Sequence, residues 1–325
     1  MNSEILVSVI CLAFNHEKYI RKALDGFVSQ ETTFQFEVLI HDDASTDGTA
    51  DIIRQYHQKW PNIIKPIFQT DNQYSKGIPI TRTILLPHAK GKYVAFCEGD
   101  DFWTDPLKLQ KQAKFLEANP EYVCCTHGFL EINNKSGHTK ICLNEESKEY
   151  TLEEVVDGGG AFFATASIMM STKFLKSKPD FYNIRGFGDY QLVIYAAASG
   201  RLYHIQDVMC AYNMFLPHSW TALNYIDLEN RKQHLKKLFL LLRNIDKGYD
   251  YKYTKIFETQ ALKKEYEYHT LDKNYRELRS CKYLPLYKYK SFKGKIGMLL
   301  NSYAPKLMPL ILRIYKVFTK GEKNG

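Results

Sequence analysis

The chain has no run of about twenty uncharged apolar residues, so no membrane-crossing helix is expected from its sequence. Residues 5–11 form the first apolar run. It is too short for a secretory signal, and no basic flank precedes it. The seven cysteines are odd in number, contain no CxxC pair, and include the adjacent Cys124 and Cys125, which cannot easily brace a fold. Reduced thiols in a cytoplasmic protein are therefore expected, not a disulfide frame or a metal finger. No GxGxxG follows the first apolar run, which disfavours a dinucleotide-dependent dehydrogenase. Internal repeats and low-complexity segments are also missing.

What is present suits a soluble α/β protein. The 325 residues are 45% hydrophobic and 25% charged, enough for one α/β domain with a full core and an appendage. The formal charge of +8 is unevenly spread. Residues 281–325 hold ten Lys or Arg and one acid, leaving 34 basic and 35 acidic residues elsewhere. The body is thus about neutral, and the basic tail suits an anionic surface.

Short β-branched runs at 5–12, 37–41, 63–69 and 93–97 predict strands. Helices are predicted over 16–29, with Asn15 as its cap, and from the turn at 44–48 through Tyr56. This alternation means crossover connections and a mostly parallel, Rossmann-like sheet flanked by helices. Further on, 106–118 and 189–198 read as helices. Residues 121–141, 164–170, 202–208 and 211–215 read as strands, and long helical stretches follow Asp227.

Open parallel sheets bind ligands at the carboxyl ends of their strands. Two predicted strands end there in acid pairs, Asp42-Asp43 and Asp100-Asp101. Paired carboxylates at a crevice need a cation or hydrogen-bond donors. Mg²⁺ or Mn²⁺ is satisfied by one or two carboxylates together with phosphate oxygens. Each pair also has a plainer reading, as a helix cap or turn former.

Three ordered segments carry a family resemblance. Ser8-Val9-Ile10-Cys11-Leu12-Ala13-Phe14-Asn15, Ile40-His41-Asp42-Asp43-Ala44-Ser45-Thr46-Asp47-Gly48-Thr49 and Gly91-Lys92-Tyr93-Val94-Ala95-Phe96-Cys97-Glu98-Gly99-Asp100-Asp101 closely resemble the successive motifs of family 2 glycosyltransferases. The resemblance covers about residues 5–220 and implies the GT-A fold and mostly inverting transfer. It departs from the family at Leu12, where a proline is common.

The resemblance also implies roles. Ala13 and Phe14 would border the nucleotide, with Phe14 stacked on its base. Asp43 would read the base, usually uracil, and Arg82 would lie beside the nucleotide. Asp101 would be the direct metal ligand, with Asp100 between ribose and metal. His218, in His218-Ser219-Trp220, would join the metal or a phosphate. Arg185-Gly186-Phe187-Gly188-Asp189 matches the glycine-rich turn before the catalytic base, which makes Asp189 the candidate; its plainer role is a helix cap. Trp103 is read either as a wall of the sugar pocket or as core.

The implied domains are a catalytic domain, 1–225, with a nucleotide half at 1–105 and an acceptor half at 106–225. A helical, basic extension occupies 226–325. Residues 296–318 alternate apolar and basic side chains around Pro305 and Pro309, which resembles an interfacial anchor on the inner face of a membrane. The alternative is a docked helix with a solvated basic face. No nucleic-acid motif accompanies the charge. The activity expected is transfer of a sugar, from a UDP-sugar donor, to a saccharide or lipid-linked oligosaccharide acceptor in surface polysaccharide synthesis. The rival readings are a sugar-phosphate nucleotidyltransferase and an inactive saccharide-binding relative.

Overall fold

A computed structural model describes residues 4–143, 146–182, 184–217, 219–288 and 292–303. The chain divides into two compact units, Met1–Ala222 and Leu223–Gly325.

The first unit is a single curled sheet covered by helices. Its strands are β1 (Ile5–Ala13), β2 (Gln35–Asp42), β3 (Ile64–Phe68), β4 (Tyr93–Phe96), β5 (Phe102–Trp103), β6 (Cys124–Asn133), β7 (His138–Cys142), β8 (Lys148–Tyr150), β9 (Met169–Ser171) and β10 (Leu202–Met214). They lie in the order β3-β2-β1-β4-β9-β6-β10-β5, with β7 on β6 and β8 on β10. The β3-β2-β1-β4 half is parallel, as is β6 with β10. The reversal comes at β9, which runs antiparallel to both β4 and β6.

Strand burial explains the parallel half. Val7, Val9, Cys11, Val38 and Ile40 are fully buried on one face, with Ile20, Ala23, Leu24 and Phe27 of the helix Ile20–Val28 against them. A sheet covered on both faces needs near-continuous apolar runs, and β1 supplies one, interrupted only by Ser8. One polar tie crosses this core. Ser8 donates to Glu37 Oε1 at 2.8 Å and accepts from the backbone N–H of Gly91 at 2.8 Å, joining β1, β2 and the turn before β4.

Several local expectations are corrected. Residues 164–170 are not one strand: Thr165–Ser167 is a 3₁₀ turn, and only Met169–Ser171 joins the sheet. Ser167 explains this, because its N–H and Oγ both bond back to the Ala164 carbonyl, at 2.9 and 2.7 Å. The two strands expected over 202–215 are one, with register shifts near Val208 absorbing the break. The first helix starts at Ile20 and has no side-chain cap, because Asn15 is used elsewhere.

The second unit is helical. The helix Leu228–Gly248 is capped by the Asp227 carboxylate, which accepts from Asn230 N–H at 2.7 Å. Its buried Leu235, Leu238, Leu242 and Ile245 repeat every three or four residues, the spacing of one helix face. The helix Thr254–Leu271 runs along it, and Arg243 bridges to Glu258 and Glu265 at 2.8 Å each. Met298, which the sequence assigns to an interfacial face, is buried with Leu262, Tyr283 and Leu286. Ile296, Leu299 and Tyr303 of the same helix, Phe292–Tyr303, are exposed. The remainder of the expected anchor, 304–325, lies outside the described residues. No helix among the described residues is long and apolar enough to cross a membrane.

Candidate active site

The carboxyl end of β1 is the seam of the site. The Asp43 N–H donates to the Ala13 carbonyl at 2.9 Å, and the Gly99 N–H donates to the Leu12 carbonyl at 2.9 Å. The end of β2 therefore lies on one side of residues 12–14 and the Glu98–Asp101 turn on the other. Gly99 permits the second contact: a Cβ there would sit 2.7 Å from Ile20 Cδ1 and 2.8 Å from His16 Nδ1.

Asn15 fixes this seam instead of capping a helix. It occupies a positive φ of 54°. Its N–H donates to Ser45 Oγ at 2.9 Å, and its side-chain oxygen accepts from Thr46 N–H at 2.8 Å. His16 and Glu17 N–H groups continue the seam to Thr49 and Asp47. Phe14, at the edge of this turn, is 43% exposed, a large aromatic face left open to solvent.

Asp43 is buried. Its two oxygens accept from the N–H groups of Gln73 and Tyr74, at 2.7 and 3.0 Å, and His41 Nε2 lies 3.1 Å from Oδ1. The carboxylate thus organises the loop after β3, a job its sequence position does not reveal.

Asp101 is also buried. Oδ1 accepts from Asn213 N–H at 2.8 Å, while Oδ2 has no hydrogen-bond partner. Asn213 Nδ2 also donates to the Asp100 carbonyl at 2.6 Å. Burial, and then the neighbouring Asp100, push the Asp101 carboxyl well above the usual range. Glu98 is pushed up to about 8, by burial first and then by Asp100 and Asp189. Asp100 Oδ2 faces His16 Nε2 at 3.9 Å.

Asp189 lies in the first turn of the helix Gly188–Ser199 but does not cap it, since Phe187 holds that position. Its Oδ1 accepts from Tyr190 N–H at 2.7 Å and its Oδ2 from Thr165 Oγ at 3.4 Å. Burial raises its pKa. Tyr212, on β10, ties the acids into one place. Its phenol is pushed up by burial first, then by Asp101, Asp189, Glu98 and Asp100 around it.

Asp189, distant in sequence, therefore shares one field with Glu98, Asp100 and Asp101 of a single turn. Like charges gathered in a half-buried crevice favour an incoming cation or a proton. Among the described residues no group of three side chains has the arrangement of a complete metal site. The orphaned Asp101 Oδ2 beside Asp100 fits a hard cation whose remaining ligands come from phosphate and water.

Of the residues singled out in the sequence, Ala13, Phe14 and Asp43 meet at one side of the seam, and Asp100, Asp101 and Asp189 at the other. Arg82 is exposed and paired with Asp180. His218 lies outside the described residues. Trp103 is core: it is 4% exposed, packs edge-on to Phe27 at 4.8 Å, and donates Nε1–H to the Ala166 carbonyl at 3.1 Å. Sequence reading missed Glu98, His16, Tyr212 and Asn213. Glu98 has a local signal, two residues before the acid pair. Tyr212 and Asn213 have none, because they arrive through the long-range pairing of β10.

Known proteins place this arrangement. Residues 8–177 match the family described as Glycosyl transferase family 2. An Escherichia coli protein named as a UDP-Glc:alpha-D-GlcNAc-diphosphoundecaprenol beta-1,3-glucosyltransferase, WfaP, is 34% identical over 126 residues, covering 39% of this chain and 47% of that protein. The first curated relatives match over 121 residues, only 34% of their own length. Staphylococcus aureus TarS 1–349, solved in complex with UDP-GlcNAc, superposes with a TM-score of 0.57 at 18% identity, over 92% of this chain and 79% of that one. The mannosyltransferase PcManGT of Pyrobaculum calidifontis, solved with GDP-Man and Mn²⁺, superposes with a TM-score of 0.56 at 18% identity, over 97% and 86%. The fold is thus that of GT-A glycosyltransferases, and with more than half of its length matching the family model, the chain belongs to glycosyl transferase family 2.

Proposed function

We propose that the chain is an inverting glycosyltransferase that moves a sugar from a UDP-sugar to a hydroxyl of a saccharide acceptor carried on a lipid diphosphate. One observation carries the reading: Glu98, Asp100, Asp101 and Asp189 converge around Tyr212, at strand ends flanked by the exposed ring of Phe14.

Phe14 offers a flat apolar face for the uracil ring, and Asp43 orders the loop that closes on the base. Asp101 and Asp100 would hold Mn²⁺ or Mg²⁺, with His218 as a further ligand. The charge of such a cation would offset that of the departing diphosphate. Asp189 would take the proton of the acceptor hydroxyl. As that oxygen bonds to the anomeric carbon, the bond from carbon to the diphosphate oxygen breaks and its electron pair leaves with UDP. Attack from the face opposite UDP inverts the centre. Burial of Asp189 raises its proton affinity, which suits a base that must hold a proton transiently.

The UDP-sugar donor is supported by the TarS complex, and the lipid-diphosphate acceptor by the name of WfaP. The metal is supported by the PcManGT complex. The basic residues of 281–325 would rest on anionic lipid, at about 1 kcal/mol per basic residue near the surface.

The test is thermal melting with a panel of UDP-sugars, with and without Mn²⁺ or Mg²⁺. A ligand at a hundred times its Kd stabilises by about 2.7 kcal/mol, or roughly 5–10 °C for a unit of this size. The expected result is a shift that requires both sugar nucleotide and metal. If no nucleotide-sugar stabilises the protein, the proposal is wrong.

A further inference from the structure

Tyr74 is gripped from both sides. Its N–H donates to Asp43 Oδ2 at 3.0 Å. Its carbonyl accepts from the Arg185 guanidinium, and the same guanidinium lies over its ring, 4.0 Å from the centroid. Tyr74 is 53% exposed, so core packing does not account for its position. A second tie makes the same crossing, from Arg82 to Asp180.

Arg185 opens the turn that carries the candidate base. Gly186 follows at a φ of +98°, in the left-handed region where a side chain is strained. Phe187 is buried and fixes the far side of the turn, and Asp189 stands two residues beyond it. The nucleotide-side carboxylate and the base are thus joined by a short chain of contacts: Asp43 to Tyr74 backbone, Tyr74 to Arg185, and Arg185 through one glycine hinge to the base-bearing helix.

We propose that Arg185 is a positioning residue, a latch on Tyr74 that couples order in the donor-base loop at 71–77 to the placement of Asp189. The inference rests on the proposed roles of Asp43 and Asp189. Arg185 touches neither reacting atom; it acts through the loop. A nucleotide that stiffens 71–77 stiffens the base-bearing turn with it, and by linkage the effect is reciprocal. Arginine suits this role because one planar group both stacks and donates in a fixed direction. Lysine offers a point charge without the plane.

The first test needs no ligand. In the free protein, Arg185→Ala should speed amide exchange at Gln73 and Tyr74 by roughly tenfold, the size that one hydrogen bond and one exposed stacking contact support. Tyr74→Ala keeps the carbonyl that Arg185 bonds and removes only the ring beneath the guanidinium, so it should speed exchange at Tyr190, whose N–H donates to Asp189 Oδ1, by about two- to fivefold. Both substituted side chains are exposed, so the fold is retained. Unchanged exchange at both places overturns the latch.

The second test is kinetic. Each single variant should raise the donor KM and lower kcat together, Arg185→Lys should not rescue, and the double variant should be no worse than the poorer single one. Multiplying losses would mean that Arg185 acts on the donor independently of Tyr74, and would overturn the proposal. If the unsubstituted protein takes no UDP-sugar, the proposed function fails, and the exchange test alone decides the latch.

Discussion

Asn213 holds both members of the Asp100–Asp101 pair: its backbone N–H donates to Asp101 Oδ1 at 2.8 Å and its side-chain amide to the Asp100 carbonyl at 2.6 Å. Only the second contact depends on the side chain. Asn213→Ala should therefore keep Asp101 in place while freeing the backbone at Asp100. Outer contacts of this kind typically tune metal affinity by ~10–100-fold. The expected result is a Mn²⁺ requirement shifted to at least about tenfold higher concentration in UDP-sugar hydrolysis, with kcat at saturating metal nearly kept. An unchanged metal titration would show that the Asp100 tether is incidental.

Asp101→Asn separates binding from folding. The amide keeps an oxygen for Asn213 N–H and puts a neutral group where the unpartnered Oδ2 stood. A neutral amide is cheaper to bury than a carboxylate. The metal-free variant should melt no lower than the parent, and the metal-dependent shift with UDP-sugar should vanish. A retained metal-dependent shift would move the cation site away from Asp101.

These residues show where the sequence was informative and where it was not. Runs such as Val9–Leu12 and Val38–Ile40 are legible as buried strands because apolar, often β-branched residues follow without a polar break. Acids at their ends stand out for the same reason. Asp43 stands out in the sequence as a candidate, but its bonds to the loop at 73–74 do not, since they depend on how a turn 30 residues later folds back. Asn213 reaches Asp101 across a separation of 112 residues, through the pairing of β10 with β5 and β6. No local periodicity encodes such a meeting. Trp103 stays open between pocket and core in the sequence, because an aromatic beside acids looks the same there whether it faces a ligand or the core.

Trp103 gives a control for that distinction. Its Nε1–H bond to Ala166 and its contact with Phe27 make it a packing residue. Trp103→Phe should cost about 1 kcal/mol for the lost hydrogen bond, plus a cavity contribution of similar order. Denaturant unfolding measures this. The preference among UDP-sugars should not change, and a changed preference would return Trp103 to the sugar pocket.

Asp189→Asn tests the base and the cost of burying it together. The folded protein holds this carboxyl above its ordinary pKa, through burial. Stability from the protonated form is therefore complete below the unfolded value of about 4 and is lost as pH rises through the raised folded value. Asparagine has no charge to bury and keeps an oxygen for Tyr190 N–H. The variant should thus match the parent near pH 3, if both remain folded, and become the more stable of the two as pH rises, levelling off above the folded pKa. Transfer should behave oppositely. In the parent, kcat should fall with acid through that same raised pKa, because a protonated Asp189 cannot accept the hydroxyl proton. In the variant, transfer should drop by about 10²–10⁴-fold, while UDP still binds. Full transfer by Asp189→Asn would assign the proton to another group, and Glu98, which shares the crevice and is pushed up to about 8, would be the next residue to replace.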